Sequence, residues 1–202
     1  LGADTISGGE GADTILGGEG ADQIAGDAGA DVIDGGLGAD VISGGLGDDS
    51  ISGGEGADTL DGGLGGDTIS GGEGADTILG GEGADQIAGD AGADTIVGGL
   101  GADTIDGGSG IDEVDYSTDV AVGGTSGVTV DLDAGTATDG FGGSDTLSNI
   151  ENIAGTDKAD QLTGSDAANV ILGNAGDDII SGLDGADTLD GGLGADTISG
   201  GE

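Results

Sequence analysis

Apolar residues fall along this chain at a fixed interval. Ile6, Ile15, Ile24, Ile33, Ile42, Ile51, Leu60, Ile69, Ile78, Ile87, Ile96, Ile105 and Val114 stand nine residues apart. That spacing matches neither the period of an amphipathic helix nor the sustained alternation of a long strand. It suits a three-residue extended piece, such as Thr5-Ile6-Ser7, whose middle side chain points inward and whose neighbours point out. Between two such pieces lie six residues of the form GGxGxD, whose glycines supply positive-φ turn geometry. One nonapeptide then makes one strand and one reversal. Two reversals return the chain to its starting side, so a circuit takes eighteen residues and loop n stacks on loop n+2. The predicted fold is all-β, a parallel solenoid of two opposed sheets with the apolar column between them and strands about 4.8 Å apart along the axis.

The register is strict. Gly8 to Asp115 divides into twelve consecutive nonapeptides without insertion or deletion, and residues 1–7 are the tail of a thirteenth. The sixth position is Asp in all thirteen: Asp4, Asp13, Asp22, Asp31, Asp40, Asp49, Asp58, Asp67, Asp76, Asp85, Asp94, Asp103 and Asp112. Residues 8–31 recur unchanged at 71–94, which points to growth by copying and to a structure tolerant of repeat number. Disorder would need no such register. Helix is disfavoured by a glycine at about one residue in four, each costing about 1 kcal/mol relative to Ala. Collagen is excluded because glycine does not fall every third residue and Pro is absent.

Composition narrows the chemistry. The chain carries 54 Gly, one Lys, no Cys and no His, and a net charge of −41 over 202 residues. Such a polyanion repels nucleic acid and anionic membranes and attracts cations. Its longest apolar runs are only a few residues, too short to insert in a bilayer. Without His or Cys, only hydroxyls, carboxylates and one amine remain for catalysis, which argues against an enzyme. Stacking also brings the sixth-position carboxylates into ladders. At ~4.8 Å two unit charges repel by about 0.9 kcal/mol in water and by several times that at a protein surface. Such a ladder requires a cation. The loops offer only carboxylates and backbone carbonyls, an oxygen set that suits Ca²⁺ rather than zinc or copper. Mg²⁺, which prefers rigid octahedra and keeps its waters, suits it less well. Seven loops on one side and six on the other leave eleven gaps in the first block, hence about eleven ions.

The nonapeptides GGEGADTIL, GGLGADVIS and GGEGADTLD resemble the RTX (repeats-in-toxin, haemolysin-type) calcium-binding repeat, GGxGxDxUx with U apolar. The resemblance covers residues 1–115 and 155–202. It implies a right-handed parallel β-roll with Ca²⁺ held by the sixth-position Asp and by loop carbonyls of successive turns. It also implies type I export in an unfolded state and folding outside the cell. Members include secreted proteases, lipases, pore-forming toxins, adhesins and surface-layer proteins.

Three regions are expected: a first roll at 1–115, a β-rich spacer at 116–145, and a second, partly degenerate roll at 146–202. The spacer contains an alternating strand, Val128 to Leu132, and Gly142-Gly143-Ser144-Asp145 looks like a shortened loop. Tyr116 and Phe141, the lone aromatics, bracket it and are expected to plug the end of the first roll. In the second block Asp160, Asp178, Asp187 and Asp196 are the candidate ligands, for a few further ions. Lys158 and Ala167 replace the fourth-position glycine there, and Asn169 replaces Asp. Ile150 and Ile153 are expected to line the core as the roll restarts.

Three roles fit. One is a calcium-stiffened filament, surface-layer or adhesin scaffold of a secreted or cell-surface protein, able to associate end to end. Another is the calcium-triggered folding and export module of a secreted protease, lipase or toxin. Ice binding, which some calcium β-rolls perform, needs a flat Thr/Asn array, whereas the outward loop positions here are Glu, Leu and Ala. The first is favoured, because near-identical repeats serve length better than catalysis and the register is still running at Leu1 and at Glu202.

Overall fold

The computed structural model describes residues 2–119 and 123–201, so Leu1 and Glu202, where the register starts and stops, lie outside it. Its strands, β1 to β23 in chain order, form two sheets on either side of one core. In the first block, odd-numbered strands from β1 (Thr5–Glu10) to β11 (Thr95–Leu100) build one sheet, and even-numbered strands from β2 (Thr14–Glu19) to β12 (Thr104–Asp106) build the other. Neighbours are parallel and eighteen residues apart, as in Ile6↔Ile24 and Leu60↔Ile78. One circuit is therefore two nonapeptides, as the spacing of apolar residues predicts. From Ile15 to Val114 the apolar column is buried and belongs to a single cluster, which runs on through Leu147, Ile150, Ile153, Leu162, Ile171 and Ile180.

Strand length departs from expectation. The first-block strands up to β11 span six or seven residues rather than three. In β5 (Val41–Leu46), Val41, Ile42 and Ser43 pair with the next turn, Gly44 is skipped, and Gly45 and Leu46 pair again. Gly45 has φ +109°, a conformation open to glycine, and this lets the strand bend without leaving the ladder. The glycine pair is thus a corner inside the strand, and the reversal shrinks to three residues such as Gly47-Asp48-Asp49. In the second block, β19 (Gln161–Thr163) to β23 (Thr197–Ser199) keep the three-residue length.

The spacer is threaded into the solenoid. In one sheet, β14 (Glu113–Asp115) pairs directly with β18 (Asn152–Ala154), which pairs with β20 (Val170–Leu172). In the other, β12 pairs with β17 (Ser144–Ser148), and two antiparallel strands, β16 (Thr136–Thr138) and β15 (Thr129–Asp131), intervene before β19. The strand expected at 128–132 is present as β15, with Val128 and Val130 buried. Tyr116 does not plug an end, because the sheets continue past it; it lies in the core at 2% exposure. Phe141 is only half-buried and outside the core cluster. Its backbone is turned by the Asp139 carboxylate, which accepts the Phe141 N–H at 2.9 Å.

Candidate metal centre

Each nonapeptide presents its sixth-position Asp at the inner corner of the reversal, just before the strand begins. Stacking by eighteen residues then builds two columns: Asp4, Asp22, Asp40, Asp58, Asp76, Asp94 and Asp112 on one side, and Asp13, Asp31, Asp49, Asp67, Asp85 and Asp103 on the other. Within a column, the Oδ1 of each Asp accepts the backbone N–H of the Asp one turn earlier. Asp76 Oδ1 takes Asp58 N–H, and Asp58 Oδ1 takes Asp40 N–H, both at 2.8 Å. Asp22 through Asp112 are buried to 3% exposure or less, while Asp13 is half-buried and Asp4, at the open end, is exposed.

The columns do not stop at the spacer. Asp145 takes the next place after Asp103, accepting its N–H at 3.1 Å across a gap of 42 residues. Beyond Asp112 the place is filled by Glu151, whose longer side chain accepts Asp112 N–H at 2.9 Å. Asn169 follows and is buried. Its Nδ2 donates to the Glu151 carbonyl at 2.6 Å, and its own N–H reaches Asp187 Oδ1 at 3.0 Å. On the other side Asp160, Asp178 and Asp196 resume the column, with Asp160 Oδ1 accepting Val128 N–H at 2.7 Å. Asp178 is buried, while Asp187 and Asp196, near the second open end, are half-buried. Reading the register alone missed Asp145 and Glu151. Asp145-Thr146-Leu147-Ser148 repeats the close of a nonapeptide and was a usable signal, whereas nothing local marks Glu151.

The second carboxylate oxygen has no such bond. Oδ2 of every column Asp from Asp13 to Asp112, and of Asp178 and Asp187, is buried with no hydrogen-bond partner among the described residues. Native interiors rarely leave polar atoms in that state. Burial raises the Asp58 and Asp85 carboxyls to about 6, and the neighbouring column Asp residues push the same way against the lowering effect of the backbone N–H. Asp49, Asp67, Asp76, Asp94, Asp103 and Asp112 are raised for the same leading reason.

Most orphan oxygens lie near a carbonyl of the next turn. A methyl group placed on Gly53, a first-position glycine, would lie 2.5 Å from Asp58 Oδ2 and 2.5 Å from the Gly71 carbonyl oxygen of the next turn. On Gly26 it would lie 2.5 Å from Asp31 Oδ2 and 2.6 Å from the Gly44 oxygen. Glycine, with no side chain, lets a carboxylate and a carbonyl from stacked loops approach the same stretch of backbone. Among the described residues no three carboxylates converge on one point, so carbonyls must complete any coordination shell. An all-oxygen, carbonyl-rich set with no thiolate or imidazole fits Ca²⁺, which takes six to eight oxygens in flexible geometry.

The family model of the RTX calcium-binding nonapeptide repeat matches the chain in overlapping segments that together span residues 1–114 and 145–202. The second run of matches begins at Asp145, where the carboxylate column resumes in space. No curated protein matches the chain.

Proposed function

Because this chain belongs to the RTX calcium-binding nonapeptide repeat family, we propose that its sixth-position aspartates hold Ca²⁺ between stacked loops, making the roll a calcium-locked scaffold element. The observation that carries this reading is the row of buried, unpartnered Oδ2 atoms, most of them beside a first-position glycine and near a carbonyl of the next turn. Bound calcium would supply the positive charge that the columns lack. The chain's own residues do the rest. Oδ1 fixes each side chain to the backbone of the previous turn, the glycines keep the space open, and the Ile column holds the two sheets in register. The ligands are Asp4 through Asp112 at nine-residue spacing, then Asp160, Asp178, Asp187 and Asp196, with about eleven ions in the first block and a few in the second.

The architecture supports a structural role. A roll of near-identical turns offers length and stiffness, which suits a filament, surface-layer or adhesin scaffold in millimolar extracellular calcium. Export by a type I system before folding fits a chain that acquires its fold only where calcium is abundant. Calcium titration followed by far-UV circular dichroism tests the reading. A disordered spectrum in chelator should become a β spectrum in millimolar Ca²⁺, steeply, from sites that are individually weak at about 10⁻⁴–10⁻³ M. Mg²⁺ should be markedly less effective. A β spectrum that persists in excess chelator would overturn it.

A further inference from the structure

The spacer gathers carboxylates that no nonapeptide supplies. Asp139 and Asp119 lie outside the repeat register, yet they are buried to 1% and 2% exposure, beside Asp103 at 2% and Asp145 at 3%. Most of their oxygens are accounted for. Asp145 takes the Tyr116 hydroxyl at 3.0 Å on Oδ2 and Asp103 N–H on Oδ1. Asp119 Oδ2 takes Gly140 N–H at 2.9 Å and so holds the 139–145 loop in place. Asp139 Oδ1 takes Phe141 N–H at 2.9 Å and Gly143 N–H at 2.7 Å. Asp139 Oδ2, like Asp103 Oδ2 in the repeat column, is buried and has no hydrogen-bond partner among the described residues.

That atom lies near a backbone carbonyl of the stacked turn. A methyl group on Gly143 would sit 2.5 Å from Asp139 Oδ2 and 1.9 Å from the Gly101 carbonyl oxygen. The two oxygens are no farther apart than those distances together, close enough for one ion with oxygen contacts of about 2.3–2.6 Å to touch both. Burial raises the carboxyls of Asp103, Asp119 and Asp145, and Asp139 pushes each of them the same way.

We propose that the spacer loop at 139–145 forms a separate calcium site, with Asp139 Oδ2 and the Gly101 carbonyl as direct ligands and Asp103 and Asp145 alongside as additional negative charge. The inference rests on the calcium reading of the repeats for its chemistry but not for its position, because Asp139 has no counterpart in any nonapeptide. More negative charge around one ion means tighter binding. The spacer site therefore fills before the repeat sites and fixes the loop that leads into β17, the strand paired with β12.

Tyr116 provides a local reporter. It is the one tyrosine, the chain has no tryptophan, and its hydroxyl is bound to Asp145. Terbium, an oxygen-seeking ion of calcium's size, emits when excited through a nearby tyrosine. In the wild-type chain, Tyr116-sensitised emission should rise at least tenfold lower in terbium than the far-UV transition of the repeats. Asp139→Asn keeps the Oδ1 bonds to Phe141 and Gly143 but replaces the orphan oxygen with an amide. It should move the emission midpoint up at least tenfold. Emission that tracks the far-UV transition, or an unchanged midpoint in Asp139→Asn, overturns the site. So does a variant that folds more readily in metal, because the amide would then simply donate to the nearby carbonyl. Should the variant fail to fold, terbium-soaked wild-type crystals decide: an anomalous peak must lie on Asp139 Oδ2, and peaks confined to the repeat loops refute the proposal. Loss of all metal-dependent folding in the wild type would instead sink the repeat reading, so the two failures are distinct.

Discussion

Two adjacent glycines, Gly65 and Gly66, should respond in opposite directions to the same substitution. Gly65 is a fourth-position glycine with φ +137°, and an added methyl would lie 2.0 Å from the Gly47 carbonyl oxygen, more than 1 Å inside ordinary contact. The obstacle is backbone, so no side chain can swing aside. Alanine there would carry a conformational strain of about 1–3 kcal/mol. It would also push the Gly65 turn away from the Gly47 turn, to which Gly47 N–H to Leu64 O joins it at 2.7 Å, and disturb Gly65 N–H to Glu82 O at 2.8 Å on the other side. Weakening those two bonds costs about 0.5–1.5 kcal/mol each, so Gly65→Ala should destabilise the roll by roughly 3–5 kcal/mol. Gly66 has no positive φ, and its methyl would meet the Ala84 oxygen at 3.3 Å. Ala57, Ala75 and Ala84 already occupy the equivalent position. Gly66→Ala should therefore stabilise by about 0.4–1 kcal/mol through reduced freedom of the unfolded chain. Urea unfolding in saturating calcium, followed by circular dichroism, measures both. If Gly65→Ala falls within about 1 kcal/mol of wild type, or the two variants are equally destabilised, the corner geometry is wrong.

The column carboxyls are raised in the fold, to about 6 for Asp58 and Asp85. Their protonation therefore favours the metal-free fold fully below about pH 4, and that contribution is lost as pH rises through about 6. In chelator, β content by circular dichroism should accordingly increase on acidification, whereas in calcium the folding midpoint should move to higher calcium as pH drops from 7 to 5; β content that rises with pH in chelator would contradict the burial argument. Asp58→Ala, which removes an orphan oxygen and the acceptor of Asp40 N–H, should raise the calcium midpoint. Asn169→Ala should instead lower stability at saturating calcium by about 1–3 kcal/mol, the usual cost of buried groups left unpaired, because the Glu151 carbonyl and Ser165 N–H lose their partner. Finally, β1 and β22 (Thr188–Asp190) end one sheet, and β2 and β23 end the other, so sedimentation should show reversible calcium-dependent association through these parallel edges; strictly monomeric behaviour at high protein and calcium would refute it.

The first block was legible because each turn repeats the environment of its neighbour. Once Ile6 and Ile24 are known to stack, the surroundings of Ile42 follow, and with them both carboxylate columns. What the nine-residue pattern could not show is which backbone atoms pair. The Gly-Gly corner looks like a turn in one dimension, yet Gly45 pairs with the turn on either side of it. The role of Asn169 was hidden for a related reason. Exchange of Asp for Asn reads as a lost ligand, whereas the amide also donates to the Glu151 carbonyl, a bond that no carboxylate could make. The spacer was opaque because its pairings, such as Asp103 with Asp145, depend on distant stretches of chain rather than on the eighteen-residue rule.

The position of the single tyrosine follows from that irregularity. Through the first block the two sheets advance together, one strand each per circuit, and the space between them is filled by one Ile, Leu or Val per nonapeptide. At the spacer one sheet passes directly from β14 to β18, while the other takes in β16 and β15 before reaching β19. Two extra strands add roughly 9–10 Å to one wall of the solenoid and nothing to the other, so the pairing of one strand per wall in each circuit is broken there. Tyr116 directly follows β14, on the wall that lacks the extra strands, and it is the largest fully buried side chain. Its hydroxyl must still find a partner, as buried tyrosines do, and Asp145 at 3.0 Å supplies it. That bond occupies the Asp145 oxygen which remains free in Asp103 and the other first-block column members. The residue that fills the mismatched core thus also takes Asp145 out of the row of orphan oxygens, at the point where Asp139 adds one from outside the register.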